Sequence, residues 1–495
     1  MKNIKTLAVV GGGTAGLVSA LILKRRFPDL QIDVIYSKNI GIIGVGEGST
    51  EHWKDFMDFV GIDRYKLIKE CDATYKAGIM FKDWTPEPYL HSVQPPYDSI
   101  ASQYRYVYAK QIAAGVDSTQ MSTERYWRNH VNVWFLNNPK ESPTSQYHFN
   151  THKLNEFLKT FGKGIGINFI EDDINDVLLN EQGEISTLKG NIQDYSYDFY
   201  IDSTGFRRVL ISKLGAKWTS YSKYLKMKAA IVFPTPDTEN YNIWTLAKAM
   251  DNGWIFRLPV WGRYGNGYIY DSDYTTRDQA KAEAEAYLGY EVEIGKEFKF
   301  DPGALEKTWI KNCVAIGVSG IFVEPLEASS IGSSIQQSFI LMHKLFNYDE
   351  RTIDSYNKSI TSIMENIRDF IALHYVVKKD NSQFWKDIQR LELPDSLKSN
   401  LESWRYKLPV REDFIGSSFY SMFTESNFII VMHGLGLFDI ESIKREYEAL
   451  NPIIKKNADQ IIQKELQLLK NSKEITHKMM IASIRTPNIP YKLKL

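Results

Sequence analysis

Cysteine is nearly absent: Cys71 and Cys313 are the only two in 495 residues. They are too few for a disulfide framework and too far apart in sequence for a CxxC metal or redox motif, so a reducing cytoplasm is the expected setting. Net charge is lacking too, with Lys+Arg and Asp+Glu both at 60. No global field recruits nucleic acid or an anionic membrane, which leaves small molecules and other proteins as the expected partners. Long apolar runs are missing, and none approaches the roughly 18 residues of a membrane span. The opening MKNIKTLAVVGGG breaks into glycines after Leu7 to Val10 with no small-residue cleavage site, so no secretory signal is expected.

Aromatic residues are plentiful, 13% of the chain, a composition suited to holding flat ligands. The length exceeds what one hydrophobic core supports. Two coupled modules are expected: residues 1–345, with an aromatic, irregular insertion at 85–146 lining a pocket, and a mainly helical, substrate-side module at 346–495. Thr6 to Val10, a glycine turn, a helix from about Ala15 to Arg26 and Ile32 to Ile35 read as a βαβ unit. A strand from Tyr197 to Ile201 brings the chain back to that unit. From about 220 to 310 apolar and polar positions alternate, as in antiparallel strands, and beyond Ile331 helical spacing dominates. The fold class is α/β, a Rossmann-type module with a mixed β-sheet followed by helices.

Gly11, Gly13 and Gly16 form G-x-G-x-x-G between a strand and a helix, the spacing that frees backbone N–H groups for a pyrophosphate. The acid that commonly grips the ribose after the second strand is missing; Tyr36 and Ser37 stand there, and Ser37 is the candidate hydroxyl partner. A second glycine-rich element, Gly44-Val45-Gly46-Glu47-Gly48, reads as a strap passing close to the cofactor, against the plain reading of a flexible loop. Asp202-Ser203-Thr204-Gly205 after an apolar strand has the form of a second flavin signature, so the set specifies FAD better than NAD. No further G-x-G-x-x-G follows a strand, and reduced FAD is therefore expected from a separate reductase. Glu327 stands in an apolar stretch where an ionised carboxylate needs a partner or a use. His148 and His152 have the spacing of two ligands on one helical face, but no third ligand or HExxH frame accompanies them, and no metal is assigned.

These motifs, together with Tyr75-Lys76-Ala77-Gly78-Ile79, Tyr147-His148-Phe149-Asn150, Trp254 after Gly253, and NCVAIGVSGIFVEPLEASSI, resemble the flavin-dependent halogenases, in particular the group that includes the tryptophan halogenases. The resemblance runs from residue 6 to about 345 and faintly to Gly436. It implies that Lys76 handles the hypohalous species and that Glu327 is the partner glutamate. It implies further that the backbone N–H groups of Ser329 and Ser330 hold the halide, and that Thr14, Ala15, Glu47, Ile174 and Ile331 join the glycines at FAD. The segment Tyr147-His148-Phe149 matches one that opens a helix. Two departures stand out. Ala328 and Ser329 replace the family's usual Ser and Thr, and the second Trp of a W-x-W-x-I-P segment is Phe256.

Hypohalous acid must be held, activated and kept from water. A lysine can hydrogen-bond HOX as an ammonium or carry halogen as an amine. Glu327 is either the base for the halogenated ring or the anion that orients Lys76 and HOX, and the sequence does not choose. The expected activity uses FADH2, O2 and halide on an electron-rich aromatic substrate. A non-tryptophan aromatic is favoured because Phe428 stands where relatives often carry Trp. The alternatives are an FAD-dependent aromatic monooxygenase and a flavin-binding protein without turnover; a homo-oligomer is left open.

Overall fold

A strand that is apolar on both faces must be covered on both faces, and Leu7 to Val10 is such a run. In the computed structural model, which describes residues 4–41, 47–92, 101–128, 146–414, 421–470 and 476–486, the strand Thr6–Val10 lies inside a six-stranded sheet. Gln31–Tyr36 and Asn168–Glu171 lie on one side of it; Phe199–Asp202, Cys313–Ala315 and Trp309–Ile310 lie on the other. All pairs are parallel except the last, an antiparallel edge. The helix Thr14–Arg26 packs on this sheet, with Lys24, Arg25 and Arg26 in its last turn complementing the helix dipole.

A seven-stranded sheet carries the antiparallel region expected at 220–310, including Ala229–Pro236, Trp244–Met250, Gly253–Val260 and Arg263–Tyr270. Gly78–Lys82 joins it in parallel with Trp244–Met250, and Tyr89–His91 closes that edge. A small antiparallel sheet, Glu47–Gly48, Gln146–Phe149 and Thr74–Lys76, ties the end of the glycine strap to the lysine strand. The long helices Ser329–Lys344 and Glu350–His374 follow. One hydrophobic core contains residues from Ile4 to Ile481. No helix among the described residues is long and apolar enough to cross a membrane.

One local expectation changes. Tyr147, His148 and Phe149 form a strand, because this aromatic run pairs with partners on both sides; the helix opens only at Thr151, behind Asn150. His148 and His152 therefore share no helical face. Among the described residues of the insertion, Arg125 lines a cavity together with Gln463, Leu466 and Lys470. The insertion's helix Ala101–Ala113 buries Tyr104, Val107, Tyr108 and Ile112, and packs against the C-terminal helices Ile440–Glu448 and Pro452–Lys470.

Candidate active site

A cavity of about 650 Å³ opens at the carboxyl end of the parallel strands. Gly11, Gly13, Thr14, Ala15, Ser37, Ile174 and Gly205 line one part of it, and Glu47, Gly48, Trp254, Ser329, Ser330 and Ile331 line another. The helix Thr14–Arg26 starts at Gly13 without a side-chain cap or an acidic residue in its first turn, which leaves its N-terminal N–H groups for an anion. Gly11 has φ +118°, and a Cβ there would stand 2.2 Å from the Ser203 carbonyl oxygen. Gly16 lies behind the lining; a Cβ on it would meet the Gly11 carbonyl at 2.2 Å, so this glycine sets the helix close to the strand. These features fit the pyrophosphate of a dinucleotide.

Asp202 also lies behind the lining. Its carboxylate accepts from the backbone N–H of Thr204, Leu210 and Ile211 and from the hydroxyls of Thr204 and Ser319, so it shapes the turn that presents Gly205. Gly44 and Gly46 fall outside the described residues. Sequence reasoning missed one wall: His152, Asn155, Glu156 and Lys159 line the cavity from the helix Thr151–Gly164, and Asn155 accepts from the Thr14 hydroxyl at 2.9 Å. Their three- and four-residue spacing marks a single helical face.

At the far wall Trp254 and Phe256, two apart on one strand, both line the cavity. Behind Gly48 lies Lys76, fully buried, its Nζ donating to the Ser49 carbonyl at 2.8 Å. A Cβ built on Gly48 would stand 3.4 Å from Ala328 Cβ and 3.6 Å from Lys76 Nζ, so the lysine and the turn after Glu327 meet at this glycine. Burial pulls the Lys76 ammonium down to about 8, with Glu327 and Glu51 opposing the shift. The helix Ser329–Lys344 begins behind Ala328, which adopts the left-handed conformation at φ 53° and makes no side-chain cap. A second uncapped helix N-terminus thus borders the same cavity, at Ser329 and Ser330.

Glu327 is fully buried and clamped: His91 Nδ1 lies 2.8 Å from Oε2, and His374 Nε2 lies 2.8 Å from Oε1. Burial alone raises a carboxyl, but the two imidazoles outweigh it and hold Glu327 down at about 2. Glu324, three residues earlier, goes the other way. Burial pushes it up to about 8, and it accepts from Trp254 Nε1 at 3.0 Å and from the Tyr375 hydroxyl. One carboxyl is thus held as an anion and its neighbour as an acid. Sequence reasoning missed His91, His374 and Glu324; the available signal was a histidine or glutamate inside an apolar run, as in FIALHYVV.

Glu327→Gln is expected to destabilise the fold by about 3–5 kcal/mol, because it strands the histidine clamp without its anion. Glu324→Gln, which replaces a group already neutral at pH 7, should cost less than about 1 kcal/mol. Denaturant unfolding of both variants measures this, and equal losses would contradict the assignment. The folded Glu327 carboxyl lies near 2 against an ordinary 4.5. Its stabilisation is therefore present above about pH 4.5 and disappears as the pH falls towards 2.

A cavity that fits a dinucleotide, and whose far wall borders a buried lysine, a clamped glutamate and an uncapped helix N-terminus, defines a dinucleotide-binding protein with a second, enclosed polar site. The tryptophan halogenase family matches residues 6–448. The chain is 31% identical to the 7-chloro-L-tryptophan 6-halogenase KtzR of Kutzneria sp. (strain 744), over 82% of this chain and 86% of that protein. Its fold matches Tar14, a tryptophan C-6 flavin-dependent halogenase from taromycin biosynthesis, with a TM-score of 0.86 and 26% identity, over 97% of this chain and 100% of that one. It also matches Xcc4156, a flavin-dependent halogenase from Xanthomonas campestris, with a TM-score of 0.85 and 27% identity, over 97% and 98% of the two chains. The chain belongs to the tryptophan halogenase family of flavin-dependent enzymes.

Proposed function

We propose that this enzyme uses FADH2, O2 and halide to halogenate an electron-rich aromatic substrate through Lys76, with a separate reductase supplying FADH2. Bound FADH2 with O2 supplies the oxidation of halide to HOX. The observation that carries the reading is the pair of uncapped helix N-termini on one cavity, at Gly13 and Ala328, with Lys76 behind the wall between cavity and turn. The first suits the pyrophosphate. Ser329 and Ser330 at the second suit a spherical anion, which accepts from N–H donors in any direction.

Lys76 works as the ammonium. At about 8 it is mostly protonated at neutral pH, and it donates a hydrogen bond that raises the electrophilicity of HOX. Product formation should therefore fall as the pH rises through about 8. A rate that climbs through that range would favour the amine instead. Glu327, held ionised and contacted on both oxygens, orients Lys76 rather than taking the proton from the ring.

The names of the relatives point to tryptophan. A non-tryptophan aromatic is favoured here because Phe428 is spent on packing, with ring centroids 4.9 Å from Phe370, 5.1 Å from Trp404 and 5.3 Å from Phe414. Residues 346–495, which supply those rings, form the proposed substrate-side module.

Incubating the enzyme and reduced FAD with chloride, bromide or iodide and a panel of indoles and phenols tests the function. A halide-dependent mass gain supports halogenation, gain of an oxygen atom indicates a monooxygenase, and no product indicates a binding protein. Bromide or iodide should outcompete chloride at equimolar concentration, since both are easier to strip of water and to oxidise. Ala328→Ser with Ser329→Thr should move the ratio towards chloride if this turn sets selectivity. Mainly chlorinated product from the unaltered enzyme would refute the preference.

A further inference from the structure

The chain on both sides of Lys76 is tethered to the two residues that precede the strand Trp244–Met250. After Lys76 the tie is direct: Ala77 donates its backbone N–H to the Ile243 carbonyl at 2.6 Å, and the strand Gly78–Lys82 continues from there as a parallel ladder with Trp244–Met250. Before Lys76 an imidazole stands between the two segments. His477 Nε2 accepts from the Tyr75 backbone N–H at 3.1 Å, and Nδ1 lies 3.1 Å from the Asn242 carbonyl oxygen. A carbonyl only accepts and a backbone N–H only donates, so Nδ1 carries the proton and Nε2 is bare. The neutral ring is the form that fits both partners, and burial, against the Asn242 contact, holds His477 down at about 4.

This ring comes from beyond residues 6–448, the part of the chain that the family matches. The helix that carries it, His477–Arg485, is fixed at both ends. The Thr476 hydroxyl caps it by accepting from the Met479 N–H at 3.1 Å, and Lys478 pairs with Asp237 at 2.5 Å. At the other end Arg485 donates to the Ile68 carbonyl at 2.6 Å and pairs with Asp72 at 3.3 Å. Met480 and Ile481 between them are buried in the main core, and the rings of Tyr75 and Tyr241 each lie 6.2 Å from the His477 ring.

We infer that His477 is a positioning residue for Lys76: its imidazole completes the tether between the lysine strand and the seven-stranded sheet, and so sets where the Lys76 ammonium stands relative to the turn after Glu327. The inference rests on the proposed role of Lys76. Two further contacts join the small sheet to the large one, the Thr74 hydroxyl donating to the Pro259 carbonyl at 2.6 Å and His148 Nε2 lying 2.9 Å from the Thr245 hydroxyl. Neither involves a chain neighbour of Lys76. A strand fixed on one side of a residue pivots there, whereas fixed on both sides it aims the side chain between the two points. Loss of the His477 acceptor cuts the tie before Lys76, strands the Tyr75 N–H in the core without that partner, and leaves the tie at Ala77 in place.

Two substitutions separate the tether from the packing. His477→Phe keeps a flat ring against Tyr75 and Tyr241 and removes both nitrogens; His477→Gln gives up the ring and keeps an oxygen that accepts and a nitrogen that donates. The first readout is hydrogen exchange of the full-length enzyme. In His477→Phe the segment 74–77 should exchange on the order of 10- to 100-fold faster, the scale for a buried donor that has lost its partner. The strand Thr6–Val10 should keep its protection, and His477→Gln should stay close to the unaltered enzyme. The second readout sets product against halide-dependent flavin oxidation. His477→Phe should lower product on the order of 10- to 100-fold, the scale of a mispositioned reacting group. FAD affinity and flavin oxidation should hold, because His477 does not line the cofactor cavity. His477→Gln should recover most of the product. Unchanged exchange or unchanged product in His477→Phe overturns the inference. Equal losses in the two variants assign the ring to packing and overturn it as well, as does FAD affinity falling in step with product, the mark of general damage to the fold. If the halide panel yields no halogenated product from the unaltered enzyme while His477→Phe loosens residues 74–77, the proposed function fails and the tether stands.

Discussion

Lys76→Ala is expected to retain FAD binding and halide-dependent flavin oxidation while product formation falls by roughly 10² to 10⁴, the range for losing a positioned general acid or carrier. The separation follows from placement. Lys76 is not part of the cavity lining; it lies behind Gly48, where its Nζ is held by the Ser49 carbonyl and faces the turn after Glu327. Its removal leaves the Gly13 N-terminus and the turn at Ser329 and Ser330 in place, so steps that need only those parts continue. Lys76→Met, which fills the same space without a charge, separates loss of chemistry from loss of packing, since both variants should be equally inactive. Halide-dependent flavin oxidation and product are measured side by side. Equal product yields from Lys76→Ala and the unaltered enzyme would remove Lys76 from the mechanism.

Gly13→Val should abolish FAD binding at working concentrations without unfolding the chain. The backbone at Gly13 has φ −77°, which any residue adopts, and a Cβ built there meets no atom within 4 Å. A branched side chain is therefore tolerated by the protein and intrudes only on what the cavity holds. Displacing a pyrophosphate from one or two charge-assisted hydrogen bonds, each contributing about 1.5–3 kcal/mol, lowers affinity on the order of 10- to 10⁴-fold. Fluorescence titration with FAD, alongside a thermal melt of the cofactor-free protein, measures both halves of the expectation. An affinity within a few-fold of the unaltered enzyme would reduce the first glycine motif to a turn. Gly11→Val differs, because φ +118° and the Ser203 carbonyl at 2.2 Å make that position intolerant of any side chain. It should lose the fold along with the cofactor.

Local patterns were legible from sequence wherever neighbours in the chain do the work. The strand Thr6–Val10, the uncapped helix behind Gly13 and the antiparallel region beyond 220 follow from apolar runs, glycine spacing and alternation, because backbone geometry acts over a few residues. Glu327 stood out because a charge in an apolar stretch needs an explanation, and Lys76 stood out through the motif that resembles the halogenases. The glycine motif marked the phosphate site for the same local reason. Tertiary structure alone decided what those charges face. His91, Glu327 and His374 are separated by 236 and 47 positions, and no periodicity links an edge strand, a turn and the end of a long helix. The same holds for Asp202, whose carboxylate accepts from Leu210, Ile211 and Ser319, and for His148, which pairing with Thr74 and Gly48 drew into a strand. Proton affinity is set by burial and by the nearest opposite charge, both products of the packed core. That is why two glutamates three residues apart, indistinguishable in sequence, became an acid at Glu324 and an anion at Glu327.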